Sequence, residues 1–320
     1  MRELSRRQLL ISCWAGGAVA ARAALSPLER VNRALRGEEV DRPPFSLWHH
    51  FGLEKEGPAR HAEATLRFHR AYGTDFVKVM SDFPFPKPQG AWWEVREHKN
   101  PFAPQVEALR IIGKALGRSA HFVETIFNPW NVAEKLSSRA EVQRLMREQP
   151  QKLTDALQAI AKSEANHARL AVEAGASGIF LAIANADPSV LSREEYLKFS
   201  APFDRMVLEA VGSAPLNILH IHGPKVYLDL FYRGWAASVL NYSTVATGIS
   251  LAETRRHYDG VLAGGIDEIR YRSLSVEQLR MQAQQARQQA GTKFLLTPGC
   301  SVPNEATPEE LRRLRKAVEG

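Results

Sequence analysis

Cysteine is nearly absent. Only Cys13 and Cys300 occur in 320 residues, so a disulfide framework is not what holds this chain together. No apolar run reaches the roughly 20 residues that a bilayer-spanning helix needs, and no internal repeat, low-complexity tract or interdomain linker interrupts the sequence. Repeat architectures are thereby excluded. The formal charge is +7, yet no cluster of Lys and Arg is interleaved with aromatics, and a nucleic-acid partner is not expected. Residues 1–23 carry four arginines against one glutamate, which leaves the remainder at about +4. That is scattered, solvated charge with a modest pull on anionic small molecules. Hydrophobic residues at 44% and charged residues at 24% are ordinary for a globular protein with a large core.

Ser5-Arg6-Arg7-Gln8-Leu9-Leu10 resembles a twin-arginine export signal. An apolar, small-residue run follows to Ala21, and Ala21-Arg22-Ala23 places small residues at −3 and −1 of a cleavage site. Residues 1–23 therefore read as a twin-arginine signal peptide and residues 26–320 as the folded domain, working in the periplasm or elsewhere outside the cytoplasm. Leu10-Ile11-Ser12-Cys13 also has the form of a lipobox. Lipidation at Cys13 and a retained N-terminal helix stay open beside cleavage near Ala23.

From Ser26 onward, strand-length apolar runs alternate with helical patterns. The runs fall at 45–48, 75–80, 121–127, 178–183, 216–221, 237–240, 261–266 and 293–296. A helix over 28–35 stops at Gly37, Ser192 and Glu195 form a capping box, and Thr307-Pro308 opens the last helix. Strict alternation with apolar strands implies a parallel sheet covered on both faces. Eight such units imply a single (β/α)₈ TIM barrel, here with a helical N-terminal extension. Residues 84–105, with two Trp and five Pro, read as a long loop over the barrel mouth.

Polar residues cluster just after the apolar runs: His49 and His50, Ser81 and Asp82, Asn128, Asn185 and Asp187, His220 and His222, Asn241 and Tyr242, Asp267, and Cys300. In a barrel those positions build the catalytic face, although loops are polar in any protein. His220-Ile221-His222 is the sharpest motif, because residues i and i+2 of a strand point to the same side. Two imidazoles and a thiolate suit zinc and leave a fourth position open. That reading requires the fold to bring Cys300 to the histidines. The alternative is a hydrogen-bonded histidine pair beside a buried thiol.

Several stretches together resemble the uroporphyrinogen decarboxylase superfamily. Leu28-Glu29-Arg30-Val31 through Arg36-Gly37-Glu38, then Asp41-Arg42-Pro43-Pro44, is similar to the family's opening helix and its D-R-x-P motif. Phe76-Val77-Lys78-Val79-Met80-Ser81-Asp82 resembles its second-strand segment. Leu262-Ala263-Gly264-Gly265-Ile266-Asp267 resembles its G-N-[IL]-D motif with Gly265 in place of Asn, and Thr297-Pro298-Gly299-Cys300-Ser301-Val302-Pro303 resembles its closing strand and loop. The likeness runs from about residue 26 to 318.

The resemblance implies two chemistries. Uroporphyrinogen decarboxylases use neither metal nor cofactor, and an Asp after the second strand holds the pyrrole N–H groups of their tetrapyrrole. Asp82 matches it. The family's R-Q-A-G-R arginines are replaced here by Trp48-His49-His50-Phe51-Gly52, and its late Gly-His-Gly by Gly299-Cys300-Ser301. Corrinoid-dependent methyltransferases of the same superfamily hold zinc through H-x-C and a later P-G-C. His220 and Cys300 match, and His222 stands where a Cys would be, which makes the metal more Lewis-acidic. The expectation is therefore zinc-dependent methyl transfer to a thiol or similar nucleophile, with His220, His222 and Cys300 as ligands. His220, His222 and Asp82 form the catalytic set. His49, His50, Asp82, Asn128, Asn185, Tyr242 and Asp267 bind substrate, and a corrinoid protein is the partner. The alternatives are cofactor-free decarboxylation of a tetrapyrrole or smaller acid, and an exported tetrapyrrole- or corrinoid-binding protein.

Overall fold

The computed structural model describes residues 24–53, 55–81 and 83–319. The expected signal peptide at 1–23, with Cys13, and the expected site residue Asp82 lie outside them. Seven strands, β1 (Phe76–Val79), β2 (His121–Phe127), β3 (Ile179–Ile183), β4 (Ile218–Ile221), β5 (Val239–Tyr242), β6 (Val261–Ile266) and β7 (Phe294–Pro298), pair in sequence order. Every pairing is parallel.

Twelve α-helices accompany them among the described residues: α1 (Pro27–Arg36), α2 (Pro58–Tyr72), α3 (Ala103–Leu116), α4 (Pro129–Leu136), α5 (Arg139–Glu148), α6 (Pro150–Glu173), α7 (Arg193–Phe199), α8 (Ala201–Glu209), α9 (Thr244–Thr247), α10 (Leu251–Arg255), α11 (Val276–Ala290) and α12 (Pro308–Val318). The capping box read at Ser192 is formed, and the cap read at Thr307 is a capping box as well, with Glu310. None of these helices is long and apolar enough to cross a membrane.

Eight strands were expected and seven form among the described residues. Residues 45–48 make a single parallel bridge, Phe45 to Leu296. The Ser46 N–H donates to the Leu296 carbonyl at 3.2 Å and the Leu296 N–H to the Pro44 carbonyl at 2.8 Å. On the other side, the Asp75 N–H donates to the Phe45 carbonyl and the Ser46 hydroxyl to the Phe76 carbonyl at 2.7 Å. Pro43 and Pro44 have no N–H to extend this ladder. The segment thus lies between β7 and β1 as a bridge, and the architecture is TIM-barrel-like.

Period-2 alternation sorts the strand residues. Phe76, Val123, Phe180, Ile218, Val239, Val261 and Leu295 share one interior cluster, and α1 contributes Val31 and Ala34 to it. Val77, Val79 and Phe122 instead pack outward on Leu109 and Ile112 of α3. Helix α1 therefore plugs the end of the sheet where the strands begin. It is clamped there by charge: Arg30 donates to Asp75 at 2.5 Å and to Asp41 at 2.7 Å, and Arg42 donates to Asp75 at 2.5 Å. The D-R-x-P motif thus serves this clamp.

Residues 84–105 pack along α6 beside the main cavity, whose lining they do not join. Trp92 is buried in the outer core, and the His98 N–H donates to Ser163 on α6 at 2.9 Å. The aromatic side chains of this stretch bury more apolar surface along α6 than they would as a lid in solvent.

Candidate functional site

At the carboxyl ends of the strands lies a cavity of about 410 Å³. Aromatic and apolar side chains dominate it, among them Trp48, Met80, Phe127 and Phe180, and its polar points include Lys78, Lys135, Glu134, Asn131, His50, His220, His222 and Cys300. This is the pattern of a small-molecule site.

His220 and His222 reach the cavity because the strand geometry continues past β4. The His222 N–H still donates to the Ile183 carbonyl at 2.8 Å, so the two rings stay on one side, 5.9 Å apart. His220 is buried and stacked on Phe180 at 5.1 Å. Its Nδ1–H donates to Asn241 Oδ1 at 2.7 Å. The amide of Asn241 donates in turn to the carbonyls of Ala263 and Pro298 at 3.0 and 3.2 Å, which fixes the amide orientation and hence the imidazole tautomer. Nε2 is the nitrogen left to face the cavity.

Cys300 arrives from 78 residues downstream in sequence. Gly299 makes this approach feasible: a Cβ there would sit 2.4 Å from the Ser243 Cα, and its N–H donates to buried Glu268 at 3.1 Å. The Cys300 sulfur lies 3.5 Å from His222 Nδ1. One donor atom from each of His220, His222 and Cys300 falls within 4.8 Å of the other two. A tetrahedral zinc with ordinary bond lengths holds an N and an S ligand about 3.6 Å apart, so the donor set fits such an ion in chemistry and the Cys300–His222 pair stands at that separation. Burial alone would raise the Cys300 thiol, but a hydrogen bond and charge interaction with His220, aided by the Ser301 N–H, outweigh it and hold the thiol below its ordinary value.

Two lysines escaped the sequence reading. Lys78 is buried, with Nζ 3.0 Å from Met80 Sδ and 4.4 Å from the Phe180 ring centre. Phe76, Lys78 and Met80 alternate inward along β1 and past its end, so an inward Lys on a buried strand was the available signal. Lys135 stands on α4 with Nζ 3.1 Å from the Phe127 ring centre. The surrounding protein lowers it to about 8, partly offset by Glu164, although the side chain keeps solvent contact at the cavity mouth.

The other expected site residues divide. His50 lines the cavity. His49 faces outward, stacked on Phe68 of α2 at 6.0 Å. Asn128 and Asn185 lie outside the cavity, buried in a network in which Asn128 donates to Asn185 at 2.8 Å and to Asp204 at 2.9 Å. Asn128 also caps α4. Tyr242 points away from the interior and its hydroxyl bonds Thr254 at 2.7 Å. Asp267 closes the turn after β6 by accepting from the Ile269 and Arg270 N–H groups. These last four stabilise backbone turns and helix packing, which polar residues after strands also do.

A family model described as uroporphyrinogen decarboxylase (URO-D) matches residues 93–320. Among curated proteins, a uroporphyrinogen decarboxylase from Parasynechococcus marenigrum (strain WH8102) is 26% identical, over 87% of this chain and 92% of its own length. One from Synechococcus sp. (strain JA-3-3Ab) is 27% identical over 78% and 84%. Among solved structures, a methyltransferase from Methanosarcina mazei superposes with a TM-score of 0.71 at 19% identity, covering 92% of this chain and 98% of that one. A B12-independent methionine synthase from Shewanella sp. W3-18-1 has a TM-score of 0.59 at 14% identity, over 87% and 91%. At such identities these two likenesses concern the fold.

Proposed function

Because the chain belongs to the uroporphyrinogen decarboxylase family, we propose that it is an enzyme of that family whose cavity carries out zinc-dependent methyl transfer to a thiol or similar nucleophile, with a corrinoid as methyl donor. The observation that carries this reading is the convergence of His220, His222 and Cys300 at one point of the cavity rim. His220 through Nε2, His222 and Cys300 would hold the metal. Zinc bound there would supply Lewis acidity and lower the pKa of a thiol offered at its open position.

The protein's own groups do the rest. Asn241 holds His220 in the tautomer that presents a lone pair. Trp48, Phe127 and Phe180 keep water from the reacting centre. Lys78 and Lys135 offer positive charge to an anionic part of the substrate. The twin-arginine pattern of Ser5 to Leu10 supports a role outside the cytoplasm, with metal acquired before transport.

Elemental analysis of the purified protein tests the proposal. One zinc per chain is expected, and its loss in His220→Ala. Absence of zinc, or unchanged content in the variant, discards it. Decarboxylation of a tetrapyrrole or smaller acid is the second reading, supported by the names of the curated relatives. Activity that survives a chelator would favour it.

A further inference from the structure

Cations that are scattered along the sequence gather in space at one place. Helices α2 and α3 pack side by side through Ala62, Leu66, Leu109 and Ile112. Helix α12 lies against the end of α2, where a Cβ at Gly73 would sit 3.2 Å from Arg315 Nε. The later turns of these helices carry Arg67 and Arg70 on α2, Arg110 and Lys114 on α3, and Lys316 on α12, and Arg118 follows α3. All six are exposed, and among the described residues none of them forms an ion pair. The carboxylates of the same helices come earlier, at Glu63, Glu107, Glu309 and Glu310. Glu319, just past α12, is taken by Arg315 at 3.1 Å, and Glu173 at the end of α6 borders the group.

A helix C-terminus favours a nearby cation through its dipole. That accounts for positive charge at each end, but not for the lack of counter-charge among three adjacent ends, where like charges repel. An anionic surface relieves such repulsion. Two observations say which kind. Ile111, one of the few exposed large apolar side chains, stands between Arg110 and Lys114 on the outer side of α3, and an aliphatic group ringed by cations suits a lipid headgroup layer. The described chain also begins at this end. The Leu25 N–H donates to Asp41 at 3.2 Å and its carbonyl accepts from Arg30, whose partner Asp75 lies two residues beyond Gly73. Residues 1–23, with four arginines against one glutamate and an apolar run at 9–21, therefore join the domain beside the cationic helix ends.

We propose that these ends of α2, α3 and α12 form a face that docks on an anionic phospholipid membrane. The domain then stands on the end where the strands begin, and the cavity at their carboxyl ends points away from the lipid. Each Lys or Arg held near such a surface strengthens binding by about five-fold, and the attraction falls as salt is added. The inference goes beyond the proposed reaction and does not rest on it, because none of the six cations lines the cavity.

The test is co-sedimentation of the full chain with vesicles of phosphatidylglycerol and phosphatidylcholine in equal parts, and with vesicles of phosphatidylcholine alone, at rising salt. The mixed vesicles bind at least about ten-fold more tightly at low salt, and the difference shrinks as salt is raised. Arg67→Glu, Arg70→Glu and Lys114→Glu combined lower that affinity by about 100-fold or more. Arg147→Glu, Lys198→Glu and Arg256→Glu combined, exposed on other elements, change the net charge equally and lower it by less than about ten-fold. Ile111→Ser weakens binding without altering its salt dependence, and Arg6→Gln with Arg7→Gln leaves the difference between the two triple variants in place. His220→Ala binds as the parent does, which separates this face from the metal ligands. Circular dichroism confirms that each variant is folded. No preference for the anionic vesicles, or equal losses in the two triple variants, would overturn the proposal. Retention by polyglutamate without binding to vesicles would overturn it too, and would assign the face to an acidic protein.

Discussion

His220 donates its Nδ1–H to Asn241 Oδ1 at 2.7 Å, and Asn241 is itself locked by the carbonyls of Ala263 and Pro298. A single buried amide thus decides which nitrogen of His220 faces the cavity. Removing such an outer partner typically weakens metal binding by about 10- to 100-fold. Asn241→Ala is expected to lower zinc affinity within that range in a competition with a chromophoric chelator, while circular dichroism stays unchanged. Unaltered affinity would mean that His220 does not ligate through Nε2.

Cys300 is the chemical reporter of the same site. Metal-stripped protein should be alkylated at Cys300 by iodoacetamide, and one equivalent of zinc should block the reaction, since a coordinated thiolate is shielded. Peptide mapping distinguishes Cys300 from Cys13. In His222→Ala the protection should be lost at the same zinc concentration. Equal labelling with and without zinc would remove Cys300 from the ligand set.

Asp75 is fully buried between Arg30 and Arg42, and its second oxygen also accepts the Phe45 N–H at 2.8 Å. Asp75→Ala removes the carboxylate that Arg30 and Arg42 share, leaving Arg30 only Asp41, and is expected to cost about 3–5 kcal/mol of stability. Arg33→Ala, which breaks only the exposed pair with Glu29, should cost no more than about 1 kcal/mol. Urea denaturation midpoints measure both. Equal losses would show that the clamp on α1 is not special.

Asp204 receives hydrogen bonds from Asn128, Tyr196 and Ser200, yet complete burial outweighs them and raises it to about 7. Its unfolded value is about 3.9, so the folded protein keeps a proton that the unfolded chain releases between about pH 4 and pH 7. The stabilisation is full below pH 4 and fades as pH rises towards 7, in total about 4 kcal/mol. Asp204→Asn should flatten that dependence. Parent and variant denaturation curves at pH 5 and pH 7.5 check it, and parallel curves would refute the shift.

Much of this was legible in the sequence because it follows from local periodicity. Alternation along 121–127 and 261–266 located β2 and β6 to the residue. Ser192 with Glu195, and Thr307 with Glu310, announced helix starts because a cap is satisfied within four residues. His220 and His222 were fixed to one side by the strand repeat alone. Residues 45–48, by contrast, have the apolar run of a strand and form only a bridge, since Pro43 and Pro44 lack the N–H groups to extend it.

By itself, then, the sequence determined where the elements lie, their parallel alternation and the shared orientation of the two histidines, all of which depend on neighbours a few residues apart. Only the tertiary structure decided that His50 faces the cavity while His49 packs on Phe68, and that Asn128 and Asn185 belong to a buried network around Asp204. It alone brought Cys300 to His222 across 78 residues and set Lys135 beside Glu164. Those meetings depend on how the sheet curls and how α4 and α6 stack against it, and contacts between distant segments leave no periodic trace along the chain.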